Sequence, residues 1–203
     1  RLLDDSDFDE FKATYGQTLV CGTGWLDGWA VGIVANQRQV VRRRTGTGAS
    51  EAELQIGGVI YSDSADKAAR FVEICNQKGI PLLFLQDVTG FMVGSRAERG
   101  GIIKDGAKLV NVVANSVVPK LTLFVGNSFG AGNYAMCGKA YGARFLFAWP
   151  SAAIAVMGGE QASRTLLGIQ LKNRGGEVPE AEQRALLASI QQRYEAAMDP
   201  RNA

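Results

Sequence analysis

The chain has 203 residues, 46% of them hydrophobic, which suits one domain with a substantial core. Its 22 basic and 20 acidic residues leave a net charge of +2, so charge favours neither a nucleic-acid nor a membrane-surface partner. No stretch approaches the roughly 18 consecutive apolar residues of a membrane span.

The missing residue types narrow the chemistry. Histidine is absent, which excludes Ser-His and Cys-His nucleophile pairs, histidine metal ligands and imidazole as a general base. Cys21, Cys75 and Cys137 lie far apart among apolar residues, so we expect core thiols in a reducing compartment, with neither disulfides nor a zinc site. An enzyme of this composition must use carboxylates, lysines, backbone amides or a cofactor, and no metal is expected.

The first third of the chain predicts an N-terminal connector and a hairpin. The first residue is Arg1, so we expect a segment of a longer parent. Residues 2–15 are acidic and predict a short capped helix or a connector. Residues 18–25 and 29–36 alternate as strands around Asp27-Gly28, which predicts a β-hairpin.

Residues 37–58 form a long excursion before a short predicted strand at 59–61. They contain the cluster Arg42-Arg43-Arg44, which suits a phosphate-rich ligand, although a solvated loop is favoured because basic triplets are common on surfaces. A helix over 64–77 follows, with Ser64 or Asp63 as its cap and Gly79 as its end.

Two strand-loop-helix units follow in the middle of the chain. The first is a strand over 81–86, a loop, and a helix over 102–117. Its predicted buried face, by helical spacing, consists of Ile103, Ala107, Val110, Ala114 and Val117. The second is a strand over 121–125, a glycine-rich loop over 126–132 and a helix from Tyr134.

The second junction is the main candidate for chemistry. A helix start leaves backbone N–H groups unpaired at the positive end of the helix dipole, which suits a developing negative charge. The alternative is that the glycines only permit close packing. Because parallel strands place their loops at one sheet edge, we expect the two loops to meet.

The last quarter predicts two strands and two helices. Strands are expected over 144–149 and 152–157, and a helix from Gly158 through Leu167, with Glu160 favoured as a first-turn acid rather than a site residue. A final helix over 179–198 carries an apolar stripe that contains Ile190 and Tyr194.

Four long stretches carry a resemblance to a known family. They are QDVTGFMVG (86–94), GGIIKDGAKLV (100–110), SFGAGNYAMCGKAY (128–141) and FAWPSAAIAVMGGEQA (147–162). They resemble the C-terminal domain of the acyl-CoA carboxyltransferase β subunit of biotin-dependent acyl-CoA carboxylases. The methylcrotonyl-CoA and geranyl-CoA branch is nearest and propionyl-CoA carboxylase is more distant. The likeness spans most of 19–167.

The resemblance implies an α/β, crotonase-like (ClpP/crotonase) superhelix of ββα units with two roughly perpendicular sheets. Residues 1–203 would be a single C-terminal carboxyltransferase domain, with an insertion loop at 37–58, a C-terminal helix at 179–198, and no N-terminal carboxyltransferase domain. The insertion departs from the methylcrotonyl pattern. In this family the active site lies between the C domain and the N domain of a second subunit, which holds acyl-CoA.

The family's chemistry, carried onto matching positions, makes this domain the biotin-binding half. Carboxybiotin arrives on a carrier domain, and its carboxyl group passes to the α- or γ-carbon of an acyl-CoA. Ala131 and Gly132 would donate N–H groups to the ureido carbonyl, with Gly101 and Ile102 as supporting candidates. The base belongs to the cofactor, which fits a chain without histidine. Gly132→Pro is expected to abolish transfer and leave acyl-CoA binding intact.

The resemblance implies that an aromatic cluster selects the acyl group of the substrate. Tyr134 lies where the family's acyl-pocket residue is found, and Phe91 and Phe129 are expected to flank it. Such a wall suits a branched or longer acyl chain, although aromatic residues are as often plain core.

Alternatives and partners also follow from the resemblance. The chain could instead belong to the α subunit of a biotin-dependent acyl-CoA decarboxylase, or be a catalytically silent subunit-assembly module. Expected partners are the N-terminal domain of a second subunit, a biotin carboxylase/biotin carrier subunit, and further copies in a homo-oligomer, with no nucleic acid or membrane. The compartment would be the cytoplasm in a bacterium or the mitochondrial matrix in a eukaryote.

Overall fold

A computed structural model of the protein describes residues 2–44, 52–174 and 178–202, which form a mixed α/β fold. The strands are β1 (Phe8–Glu10), β2 (Leu19–Leu26), β3 (Trp29–Asn36), β4 (Val41–Arg44), β5 (Ala52–Gln55), β6 (Val59–Ile60), β7 (Leu82–Val88), β8 (Gly90–Phe91), β9 (Lys120–Phe129), β10 (Phe145–Ala148) and β11 (Ala153–Ala155). The helices are α1 (Ser62–Lys78), α2 (Ser95–Arg99), α3 (Ile102–Ala114), α4 (Gly130–Ala135), α5 (Gly159–Arg174) and α6 (Glu180–Ala197). None of these helices combines the length and apolarity needed to cross a bilayer.

One large sheet organises the molecule, with strand order β1-β2-β3-β7-β9-β10 and β11 also paired to β9. The pairs from β3 through β7 and β9 to β10 and β11 are parallel, whereas β1, β2 and β3 run antiparallel to one another. Two small sheets, β4-β5 and β6-β8, lie apart from it in the described part of the chain. The parallel pairing of β7 and β9 confirms the prediction from their strand-loop-helix units.

The predicted hairpin is confirmed as β2 and β3, with Leu26 opposite Trp29. Asp27 and Gly28 have φ angles of 50° and 77°, the left-handed pair that such a two-residue turn requires. The carboxylate of Asp4 accepts hydrogen bonds from both of their N–H groups, at 3.0 and 2.8 Å.

The acidic N-terminal segment is not only a connector, and this expectation is corrected. Its residues 8–10 form β1 on the edge of the large sheet, after a single 3-10 turn at Asp4–Ser6. The fully buried Lys67 of α1 lies beneath this segment, where its Nζ donates to the carbonyl oxygen of Leu19 at 3.0 Å and lies 3.6 Å from the Glu10 carboxylate. The acidic residues alone do not predict β1, because this strand depends on contact with the buried Lys67.

Helix α1 begins two residues earlier than predicted, because neither Asp63 nor Ser64 is its cap. Tyr61 is the residue before the helix, and Ser64 lies in the first turn, where its Oγ accepts from the Tyr61 N–H at 2.9 Å. The predicted end is confirmed, since Gly79 has a φ of 68° and its N–H bonds to carbonyls of the last turn.

The predicted buried face of α3 is wrong by one position. The buried residues are Ile102, Gly106, Leu109 and Val113, whereas Ile103 is 72% exposed. Apolar residues occupy both sides of this helix, so spacing alone selected the wrong stripe. The helix also ends at Ala114, and Val117 lies beyond it, 88% exposed.

The segment 37–58 is not a loop, and the predicted insertion loop is corrected to an inserted β-hairpin. Strands β4 and β5 pair antiparallel, with Arg43 opposite Glu53. The Thr-Gly-rich connection over 45–51 lies outside the described residues. After the hairpin, β6 confirms the short strand predicted at 59–61.

The C-terminal elements confirm the order of the prediction and change some bounds. Strands β10 and β11 both lie along β9, and α5 continues to Arg174, seven residues past the predicted end at Leu167. The final helix begins after Pro179 and packs on α5, with Ile190 as its buried residue.

Two glycine-to-alanine substitutions test the backbone conformations at Gly79 and Gly168. Gly79→Ala places a side chain at a left-handed φ and should destabilise the chain by about 1 kcal/mol, although nothing lies within 4 Å of the new Cβ. Gly168→Ala, in open space inside α5, should stabilise it by about 0.5–1 kcal/mol because alanine favours helix. Urea unfolding of both variants measures the difference, and equal shifts of one sign would contradict the assigned conformations.

Candidate functional site

The candidate site lies where β7 and β9 end. The two strands are parallel neighbours, so α3 and α4, which follow them, begin at the same sheet edge, and the two helices contact each other. The two junctions therefore lie next to each other, as the sequence predicted.

The second junction is shorter than predicted. Strand β9 continues to Phe129 and passes directly into α4, so residues 126–132 do not form a loop and the helix begins at Gly130 rather than Tyr134. Gly130 absorbs the change of direction with a φ of 55°. The chain turns on one residue because the bulkless glycine tolerates a left-handed conformation there.

The first N–H groups of α4 have no acceptor within their own helix. Ala131 and Gly132 lie in its first turn, and no side chain caps the helix. Ala131 is exposed and Gly132 is buried. The Ala131 N–H is therefore placed at the protein surface, where an acceptor from outside the chain can approach it.

The start of α3 differs between its two candidate residues. Gly101 has a φ of 98°, and its N–H already donates to the carbonyl oxygen of Glu98 at 3.1 Å. Ile102 begins the helix, and no side chain caps its N–H. Gly101 therefore shapes the turn, whereas Ile102 is the candidate donor of the two.

A groove of about 320 Å³ joins the two helix starts. It brings together Ala131, Ile102 and Phe91 from the predicted set. The other residues of its wall are mostly apolar: Met92, Val93, Glu98, Ile103, Gly106, Ala107 and Val110. A pair of amide donors in such surroundings attracts an oxygen acceptor more strongly than in water.

The other predicted substrate residues lie outside this groove. Phe129 is buried and lies 3.6 Å from the position of a Cβ on Gly158, just before α5. Tyr134 is 48% exposed and stacks edge-on against Tyr141, with ring centroids 5.7 Å apart. It lies one helical turn after Ala131, on the same side of α4.

A buried chain of hydrogen bonds holds α4 in place, and the sequence reasoning missed it. Asn133 Nδ2 donates to Ser128 Oγ at 2.7 Å, and Ser128 Oγ donates to Gln86 Oε1 at 2.5 Å. Gln86 Nε2 in turn donates to the carbonyl oxygen of Met136 at 2.6 Å. Gln86, which ends an otherwise apolar strand, was the available signal, because a fully buried amide requires partners.

Close packing adds to these hydrogen bonds. A Cβ on Gly132 would lie 2.5 Å from Cγ2 of Val88 and 3.4 Å from Cα of Gly90, so only glycine fits between α4 and the end of β7. Gly132→Pro would therefore displace backbone as well as delete a donor. Ala131 already carries a Cβ and is exposed, which makes it the better position to test the donor alone.

The inserted hairpin forms the wall of a second cavity, of about 500 Å³, that shares Met92, Val93 and Ile102 with the groove. Arg43 faces this cavity and is engaged by carboxylates, at 3.3 Å from the buried Asp63 and 3.8 Å from Glu53. Arg42 and Arg43 lie on opposite faces of β4, so these two side chains do not converge on one ligand. The phosphate interpretation of the cluster stays a prediction.

The cysteines supply no reactive group. Burial raises the pKa of Cys21 to about 12 and that of Cys75 to about 11, and it also raises the pKa of Cys137, which follows α4. A thiol with a raised pKa is protonated near neutral pH and is a poor nucleophile. Since these thiols are unreactive, binding and polarising an oxygen at the groove would depend on backbone amides.

Comparisons with known proteins show the family to which the chain belongs. Residues 1–203 match the family model for the carboxyl transferase domain. The chain is 51% identical over 177 residues to the mitochondrial methylcrotonoyl-CoA carboxylase beta chain of Dictyostelium discoideum, covering 87% of this chain and 27% of that one. It is 47% identical over 203 residues to the biotin-dependent 3-methylcrotonyl-coenzyme A carboxylase beta1 subunit of Mycobacterium tuberculosis, covering 98% and 35%.

A solved structure extends the likeness to three dimensions. Transcarboxylase 12S, described as a hexamer assembly with hydrolysed methylmalonyl-coenzyme A bound, superposes with a TM-score of 0.80 at 35% identity, covering 98% of this chain and 34% of that one. The chain belongs to the carboxyl transferase domain family, and the predicted resemblance and crotonase-like α/β fold are confirmed. It spans about a third of the length of these relatives.

Ser128→Ala tests the buried hydrogen-bond chain. It leaves Gln86 Oε1 and Asn133 Nδ2 without their partner, so we expect a loss of about 1–3 kcal/mol in the free energy of unfolding. Ser163→Ala is the matched control, because that buried hydroxyl only bonds the Gly159 carbonyl of its own helix. Denaturant unfolding compares the two variants. Equal losses in the free energy of unfolding would show that the buried hydrogen-bond chain has no special role.

Proposed function

We propose that this chain is the C-terminal, biotin-binding half of an acyl-CoA carboxyltransferase. It would transfer the carboxyl group between carboxybiotin and the α- or γ-carbon of an acyl-CoA. The observation that carries the proposal is that the uncapped starts of α3 and α4, at Ile102 and Ala131, line one groove of a carboxyl transferase domain.

The groove suits an uncharged ring with a polar carbonyl. Its walls are mostly apolar and include Ala131 and Ile102, whose N–H groups would donate to the oxygen of a ureido group, with the buried Gly132 beside Ala131 as a further donor. Among the wall residues Glu98 is the one ionised group, and it lies in the short helix α2 before the turn at Gly101. Carboxybiotin, when bound, supplies the carboxyl group and the base.

The chain's own contribution is electrostatic and positional. Amide donors that are already fixed in place stabilise negative charge on an oxygen without reorganising during the reaction, and one such donor is typically worth about 10²- to 10³-fold in rate. The positive end of α3, a helix of 13 residues, adds to the same field. Gly101 would act by setting the direction in which α3 begins.

The remaining components follow from the family. We infer an acyl-CoA held by the N-terminal carboxyltransferase domain of a second subunit, a biotin carboxylase/biotin carrier subunit that delivers the cofactor, and a homo-oligomer of β subunits. The compartment would be the bacterial cytoplasm or the mitochondrial matrix. The same donors serve transfer in the opposite direction, from acyl-CoA to biotin.

A catalytically silent assembly module is the less favoured alternative. Such a module does not need free N–H groups at its helix starts, and its sequence could satisfy them with a capping side chain. Neither α3 nor α4 has a capping side chain, although both begin next to a groove that is open to solvent. Biotin binding with its ureido oxygen at Ala131 and Gly132 would exclude a purely structural role.

Ala131→Pro tests the proposed donor. Proline fits the first turn of a helix and removes the N–H, so we expect carboxyl transfer by the full-length parent with its biotinylated carrier to fall about 10²- to 10³-fold. Ala131→Ser keeps the N–H at the same exposed position and should retain most of the rate. Acyl-CoA binding, measured by calorimetry, should be unchanged in both. Near-normal turnover by Ala131→Pro would refute the donor role.

Tyr134→Ala tests the acyl specificity. Removing the half-exposed ring should lower kcat/KM for branched acyl-CoA relative to short acyl-CoA by roughly 10-fold, on the scale of a few lost methylene contacts. Tyr134→Phe keeps the ring and should preserve the ratio. Competition assays with paired acyl-CoAs report the ratio directly, and an unchanged ratio in Tyr134→Ala would remove this residue from the acyl pocket.

A further inference from the structure

Three consecutive residues at the end of β7 each hold a different part of the turn into α4. Gln86 bonds Ser128 and the Met136 carbonyl, and Val88 packs on Gly132. Between them lies Asp87, which neither lines the groove nor belongs to the buried amide chain. We propose that Asp87 is a positioning residue that fixes the strand-to-helix turn carrying Ala131 and Gly132.

The pairing of β7 with β9 is interrupted at this residue. Gln86 pairs with Phe124, whereas Val88 pairs with Ser128, so one residue of β7 lies opposite three residues of β9, 125–127. A bulge of this kind leaves backbone groups without a ladder partner and bends the strand. The bend sets the direction in which Ser128 and Phe129 lead into α4.

The Asp87 carboxylate fills the gap in the ladder. Its Oδ1 accepts a hydrogen bond from the N–H of Asn127 at 2.9 Å. A Cβ on Gly126 would lie 2.4 Å from the same oxygen, so the bulged backbone is in close contact with the carboxylate. A bond between a charged acceptor and an amide is stronger than a neutral one, which suits it to hold a segment that lacks ladder partners.

Asn36, the last residue of β3, and Arg38, two residues after it, both contact Asp87. Its N–H donates to Asn36 Oδ1 at 3.0 Å, and its Oδ2 lies 3.3 Å from Nε of Arg38. Arg38 belongs to the segment that leads into the inserted hairpin, and its side chain is 53% exposed. The exposed ion pair contributes little by itself, so the acceptor at Oδ1 is the part that matters.

The consequence for the site is indirect. Without the acceptor, the Asn127 N–H would be left unpaired and the bulge would relax, which moves Ser128 away from Gln86 and shifts the start of α4. Displacements of about 1 Å at catalytic groups typically cost about 10²-fold in rate. This catalytic consequence rests on the proposed function, whereas the positioning of α4 does not.

Three variants of the full-length enzyme separate the contributions. Asp87→Leu removes the acceptor, Asp87→Asn keeps an oxygen acceptor without charge, and Arg38→Gln removes only the ion pair. Hydrogen exchange at α4 is followed through the amides of Met136 and Gly138, which follow the helix and donate to its Gly132 and Asn133 carbonyls, with the amides of α1 as the internal control. The kcat for carboxyl transfer and the KM for acyl-CoA are measured on the same samples.

We expect Asp87→Leu to speed exchange in α4 but not in α1, and to lower kcat about 10- to 100-fold with KM unchanged. Asp87→Asn and Arg38→Gln should stay within about 3-fold of the parent. Unchanged α4 exchange in Asp87→Leu, or a loss in Asp87→Asn as large as in Asp87→Leu, would overturn the proposal. Faster α4 exchange with normal turnover would support the positioning of α4 and contradict the proposed function.

Discussion

The parallel pairing of β7 with β9 is the constraint on which the site depends. Because the strands are neighbours, α3 and α4 begin at one edge of the sheet, and Ile102 and Ala131 from their first turns line a common groove. The end of β7 then secures α4 through the amide of Gln86, the carboxylate of Asp87 and the side chain of Val88. A short helix of six residues is held by its surroundings rather than by its own stability.

This construction explains how a chain without histidine can serve carboxyl transfer. Backbone amides have no pKa in the physiological range and need no neighbouring base, so their effect depends on position alone. The buried thiols have raised pKa values, and Arg43 of the inserted hairpin is paired with Glu53 and with Asp63 of α1. The proton abstraction would fall to the cofactor, and the protein would supply orientation and a fixed field.

The features that the sequence predicted are those with a local signal. The Asp27-Gly28 turn, the αL glycine at Gly79 and the two strand-loop-helix units follow from residue types at fixed spacing. The buried face of α3 did not, because Ile103 and Ile102 are equally apolar and only packing distinguishes them. The bond from Ser128 to Gln86 joins residues 42 positions apart, and the bulge opposite Asp87 depends on how two strands align, so neither has a local signature.

The central claim is that main-chain donors of α4 hold the ureido oxygen of biotin. A crystal structure of the full-length enzyme with biotin bound tests it most directly. The account predicts that the ureido oxygen lies about 3 Å from the nitrogens of Ala131 and Gly132, within the groove that Ile102 and Phe91 also line. A ureido oxygen bound by side chains elsewhere, with both amides still unpaired, would contradict it.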